Sequence, residues 1–96
     1  MRPRISMRHG KISEATKAHI AHSCTKLENY FDRIVDCEVV LDKEKHDDKV
    51  EIIVKVPQRT FAATGAADNL YKALAEAESK IESQLKKHHD KMVSHH

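Results

Sequence analysis

Glycine, proline, cysteine and aromatic residues are all scarce in this chain of 96 residues, and several of these scarcities close off a class of chemistry. The two glycines, Gly10 and Gly65, cannot make a glycine-rich loop that wraps a phosphate. There is no tryptophan, and the aromatic side chains are Tyr30, Tyr71, Phe31 and Phe61. That leaves few platforms on which single-stranded bases can stack, and little material for a large apolar ligand pocket. Cys24 and Cys37 form no CxxC motif, and without a secretion signal they read as reduced thiols of a cytosolic protein. No run of about 18 apolar residues exists, so no membrane-spanning helix is expected. The N-terminus is basic (Arg2, Arg4, Arg8) but lacks the apolar stretch of a signal peptide.

Charge, by contrast, is plentiful and unevenly placed. The formal net charge is only +2. Residues 1–33 carry a net +4, residues 34–79 a net −4 and residues 80–96 a net +2, with four histidines in the last stretch. Basic ends around an acidic middle suggest a polyanionic partner met by one face of the molecule. The plain alternative is that the charges serve solubility. The length fits one domain spanning residues 1–96, with a modest core.

Periodicity gives the order β-α-β-β-β-α. Residues 2–9 alternate weakly and read as a short edge strand, where Pro3 is tolerated. Ser13 can cap a helix running to about Tyr30, whose apolar face is Ile20, Cys24, Leu27 and Phe31. Val35, Cys37, Val39 and Leu41 alternate with acids as a half-buried strand. Lys43 to Lys49 has no apolar residue and reads as a turn. Val50, Ile52, Val54 and Val56 form the next strand, ended by Pro57. Thr60 to Thr64 reads as a shorter strand closed by Gly65. Asp68 can cap a final helix of about 20–25 residues that frays near Val93. Leu70, Leu74, Ala77, Ile81, Leu85 and Met92 form its apolar stripe. Two amphipathic helices need a shared apolar surface, so both are expected on one face of a four-stranded mixed sheet, an α+β fold. The first strands should be parallel across a right-handed crossover, and the later ones antiparallel.

Catalytic chemistry finds little support. Both cysteines fall on core-facing positions and read as small packed hydrophobes rather than nucleophiles. Asp47 and Asp48 are neighbours on a polar turn and do not converge on a reacting atom. His19 and His22, at i and i+3, are able to share a zinc ion, but no Cys/His set has structural zinc spacing. No metal and no cofactor is expected.

Nucleic acid is the class best supported. His19, His22, Lys26 and Arg33 cluster within about 60° on the outer face of the first helix. On the second, Lys80, Lys87 and Lys91 lie within about 40° on one shoulder, from which acids are excluded, while Glu78 and Glu82 lie on the other. With both helices on one side of the sheet, the two stripes are expected to make one basic surface with a groove between them. Such a surface suits phosphates held in folded RNA, where shape outweighs base identity. The alternatives are a general structured-RNA-binding domain and a protein-interaction module.

The same residues carry a family resemblance. Lys26-Leu27-Glu28, Tyr30-Phe31-Asp32-Arg33-Ile34, Val39-Val40-Leu41 and Lys43-Glu44 are followed by Asn69-Leu70-Tyr71, Ala73-Leu74, Lys80-Ile81, Gln84-Leu85, Lys87-His88 and Asp90-Lys91. In this order the chain resembles the ribosome hibernation-promoting factors, also called ribosome-associated inhibitors or sigma-54 modulation proteins. The resemblance implies a fold like that of double-stranded-RNA-binding domains and a non-enzymatic role. It implies binding to the small ribosomal subunit and its rRNA in the mRNA/tRNA channel. It further implies inhibition of translation under stress or in stationary phase, and promotion of inactive ribosome dimers with a separate modulation factor. The chain looks like the short type, cytoplasmic and monomeric when free. Matched residues implied to contact rRNA are Lys26, Lys80 and Lys87, with Lys17, Arg33, Lys86, Lys91, His19 and His22 in support. Ser23, Asn29 and Ser83 stand where relatives often carry a base. Tyr71 sits in the family's aromatic box, and its expected role is packing the second helix onto the sheet rather than stacking on bases.

Overall fold

A computed structural model describes residues 3–30 and 33–93, except the side chains of residues 91–93. A four-stranded sheet runs in the order β1 (Arg4–Met7), β2 (Asp36–Glu44), β3 (Asp47–Val56) and β4 (Arg59–Ala67). β1 is parallel to β2, and the other two pairings are antiparallel. The α+β, mixed-sheet expectation is met, and β1 is an edge strand. Two helices, α1 (Glu14–Thr25) and α2 (Leu70–Val93), supply the second layer.

The strand alternation separates two surfaces. Cys37, Val39, Leu41, Val50, Ile52, Val54, Val56, Phe61 and Ala63 are buried beneath the helices. Ile20, Cys24 and Leu27 from the first helical segment, and Ala73, Leu74, Ala77, Ile81 and Leu85 from α2, close the core over them. Burial of each large aliphatic side chain contributes about 1.5–3 kcal/mol. Phe31 and the side chain of Met92, assigned to the two apolar stripes, lie outside the described residues. So does the tail beyond Val93, where fraying is expected.

Several local expectations are corrected. First, the opening helical segment reaches Asn29, close to the expected end, but it is α-helical only to Thr25. Ser13 caps it, accepting from the Thr16 amide at 3.1 Å. The Thr25 hydroxyl then donates to the His22 carbonyl at 2.6 Å, and the chain tightens into a 3₁₀ turn over Lys26–Asn29. A Ser/Thr hydroxyl competing for a helical carbonyl is a common cause of such tightening.

Second, Lys43 to Lys49 is mostly strand. Glu44 pairs with Asp47, leaving Lys45 and His46 as the whole connection. Lys45 takes φ 55°. The alternating charges are tolerated because this end of the hairpin is largely solvent-exposed on both faces.

Third, Gly65 does not close β4 but lies within it. A Cβ there would meet the Ala73 carbonyl oxygen and, at 2.7 Å, the Ala77 nitrogen. Glycine is what lets α2 sit directly on the strand, with two alanines opposite.

Pro57 ends β3 as expected. With Gln58 at φ 73° it makes a tight link to β4, the residue pattern of a type II turn. The cap of α2 is Asn69 rather than Asp68: the Asn69 Oδ1 accepts from the Lys72 amide at 2.9 Å. Asp68 instead pairs with the Lys72 ammonium at 3.3 Å.

Candidate nucleic-acid interface

His19, His22 and Lys26 are exposed on the first helical segment, as their spacing predicts. Arg33 is also exposed, but it follows the end of the 3₁₀ turn and shares no helical face with them. His19 is turned toward α2, where its ring meets Tyr71 edge-on at 4.9 Å. Tyr71 is 53% exposed, so it does not pack α2 onto the sheet as expected; it reaches across to α1.

The α2 shoulder carrying Lys80, Gln84 and Lys87 lies over β4. The Lys80 ammonium donates to the Thr64 carbonyl at 2.9 Å and to Glu76 at 3.2 Å. Gln84 donates to the Ala62 carbonyl at 3.2 Å. These two carbonyls belong to β4, an outer strand that pairs only with β3 among the described residues. An open edge presents unpaired backbone groups, and long polar side chains laid across it blunt further pairing. Glu76 also overturns the expectation that acids avoid this shoulder. Lys86 and Lys87 are exposed. Among the described residues, Lys87 has no carboxylate partner. The side chain of Lys91 lies outside the described residues.

The groove between the helices is not basic. Ser23 donates its hydroxyl to the Glu78 carboxylate, at 2.7 and 2.9 Å from its two oxygens. Burial pushes the Glu78 carboxyl above its ordinary value, and the Glu82 charge adds to this. The Ser23 hydroxyl, Lys26 and His19 oppose the rise. Glu78 and Glu82 sit about 160–200° around α2 from Lys80. The two cationic stripes are therefore on opposite sides of α2, with carboxylates between them, rather than lining one shared groove.

Sequence reading missed Arg59. It stands at the start of β4 with its guanidinium 4.9 Å from the centre of the Phe61 ring. His88 meets the same ring edge-on at 5.3 Å. Only the Pro57–Gln58 turn signal hinted that residue 59 returns beneath α2. The open sheet face has a different character. Asp36, Glu38, Asp42 and Glu44 lie along β2, and each has a basic partner: Arg4 for Asp36 (2.6 Å) and Glu38, Arg8 and His9 for Asp42, and Lys49 for Glu44. The hydrogen bond from Arg4 holds the Asp36 carboxyl below its ordinary range.

The cysteines are fully buried, and each thiol acts on the other. That interaction and burial push the Cys24 thiol well above its ordinary range, while the same interaction lowers Cys37; with no exposed surface, neither thiol can meet a substrate. Among the described residues no three His, Cys, Asp or Glu side chains gather as a metal site. No described helix is long and apolar enough to cross a membrane.

The profile of the family described as sigma 54 modulation protein / S30EA ribosomal protein matches residues 4–93. The chain belongs to this family. Members are binding proteins rather than enzymes. A relative in Pseudomonas putida, named ribosome hibernation promoting factor, is 28% identical over 98% of this chain and 92% of its own length. The protein of the same name in Escherichia coli K12 is 33% identical, covering 88% of this chain and 90% of the relative. Among solved structures, a ribosomal subunit interface protein from Coxiella burnetii superimposes with a TM-score of 0.80 at 25% identity. That match covers 94% of this chain and 99% of the other. The N-terminal domain of Thermus thermophilus Protein Y gives 0.78, also at 25% identity, over 88% and 93% of the two chains. Within the S30EA family frame, Ser23 is more than a missing base: its hydroxyl holds Glu78.

Proposed function

We propose that this protein is a ribosome hibernation factor. Its helical side seats on the rRNA of the small subunit within the mRNA/tRNA channel, and its bulk keeps mRNA and tRNA out. The family match over residues 4–93 carries this reading. The exposed cations of α1 and α2 support it, because phosphate contacts by Lys and Arg supply most of the affinity of such an interface. Lys26, Lys86, Lys87, His19, His22 and Arg33 are available at the surface. Lys80 must exchange Thr64 and Glu76 for a phosphate, so its net contribution is smaller than that of Lys87. Lys91 follows on the same shoulder by helical spacing. The protein acts in the cytoplasm as a monomer. It favours inactive ribosome dimers together with a modulation factor.

Co-sedimentation with purified ribosomes tests this. Salt-sensitive migration with the small subunit, lost when mRNA and tRNA fill the channel, is the expected result. Protein left at the top of the gradient at every salt concentration overturns it. A second reading is a protein-interaction module that uses the mixed-charge open face of the sheet, where the β2 acids are paired with Arg4, Arg8, His9 and Lys49. Salt-insensitive capture of a protein partner from ribosome-free extract would support that reading instead.

A further inference from the structure

A cavity of about 360 Å³ opens where the β3–β4 turn meets the C-terminal half of α2. It is lined by Arg59, Phe61, Gln84, Lys87 and His88. The volume is at the lower end of the ~300–1,000 Å³ typical of ligand sites. The lining combines groups that serve different parts of one ligand. Lys87 is exposed, and neither it nor Arg59 has a carboxylate partner among the described residues. The Arg59 guanidinium lies against the Phe61 ring on one side, and Arg59 as a whole is exposed. Phe61 itself is 4% exposed, so it offers no face to a ligand and acts as a backing plate. Gln84 is fixed by the Ala62 carbonyl, which positions its amide at the cavity wall.

We propose that this cavity is a one-nucleotide subsite for single-stranded RNA. Lys87 takes a backbone phosphate, and the side of the Arg59 guanidinium turned away from Phe61 takes an unstacked base. Bases splayed out of a fold stack on arginine planes as readily as on aromatic rings. A cation against an aromatic ring is also pre-organised, so less side-chain freedom is lost on binding. The inference rests on the ribosomal-RNA reading and adds to it a residue from the sheet.

The test measures affinity for purified small ribosomal subunits between about 50 and 200 mM salt, where phosphate contacts reveal themselves in the salt slope. The wild type is compared with Arg59→Ala and Arg59→Lys, each checked for a wild-type thermal melt. Arg59→Ala is expected to weaken binding about ten-fold or more, and Arg59→Lys to recover less than half of that loss on a logarithmic scale, because lysine keeps charge but not the stacking plane. If wild type binds and Arg59→Ala binds equally well, the subsite is refuted while the hibernation reading stands. Full recovery by Arg59→Lys refutes base stacking. If the wild type itself does not bind, the failure belongs to the ribosomal reading.

Discussion

Replacing Gly65 by alanine should do more damage than a single methyl group ordinarily does. The added Cβ meets the Ala73 carbonyl oxygen and comes to 2.7 Å from the Ala77 nitrogen, both main-chain atoms of α2. No rotamer change relieves a contact with backbone, so the helix itself must lift from β4. Overpacking of this kind costs about 1–3 kcal/mol, and the upper part of that range applies where backbone must move. Removing glycine also restricts the unfolded chain, which offsets about 0.4–1 kcal/mol. A net loss of about 2 kcal/mol remains. With an unfolding entropy of about 2.1 cal/mol/K per residue, that corresponds to roughly 10 °C in Tm for a domain of this size. Thermal unfolding followed by far-UV circular dichroism reads it directly. Adding Ala73→Gly should not rescue the variant, because the obstructing atom is the residue's carbonyl, and glycine inside a helix costs about 1 kcal/mol of its own. A Gly65→Ala protein melting within about 2 °C of wild type, a shift worth less than about 0.5 kcal/mol, would show that the close approach imposes no constraint.

Other outcomes follow from named contacts. Asn69→Ala removes the side-chain cap of α2 and should cost about 1 kcal/mol, lowering Tm by about 5 °C, whereas Asn69→Asp should hold wild-type stability. Glu78→Gln should be more stable than wild type at neutral pH. The raised folded-state value of Glu78 means that its charged form burdens the fold above that value. The advantage should vanish below the ordinary glutamate value of about 4.3, where both proteins are neutral there, and a pH-independent difference in urea midpoints would refute this. Lys87→Glu should weaken small-subunit binding in co-sedimentation while leaving the melt unchanged. Lys80→Glu should lower both, because it sets a new carboxylate beside Glu76 and the Thr64 carbonyl. Lys80→Ala with Gln84→Ala should leave a folded protein that self-associates at high concentration, read by light scattering; a strictly monomeric double variant would show that β4 needs no cover.

The fold was largely legible because its periodicities are local. Val50 to Val56 alternates except at Ile53, and Leu70 to Leu85 holds one helical stripe, so each element announces its type before any neighbour is known. Errors fell where a distant partner decides. Gly65 reads as a terminator until α2 is placed on it. Lys43 to Lys49 reads as loop because an exposed hairpin end needs no apolar face. The interface was legible as a set of cations but not as a surface. Spacing assigned Lys80 and Lys87 correctly to one shoulder of α2. It does not show that Glu76 and Thr64 occupy Lys80, nor that Ser23 and Glu78 fill the groove. Arg59 was invisible as part of the same region because only the β3–β4 turn brings residue 59 under residue 87.

The two side chains laid over β4 link this protein's function to its solubility as a free species. A factor of this kind must accumulate without clumping while its target is busy, and on the proposed reading it then attaches through the same surface. Position 80 thus answers to two selections at once. Substitutions that would only tune attachment elsewhere carry here a second consequence, the storage life of the unattached pool. Gln84, uncharged, serves that second demand more than the first. Losses at position 84 should therefore surface first as shortened storage, in conditions where the protein is abundant and ribosomes are few.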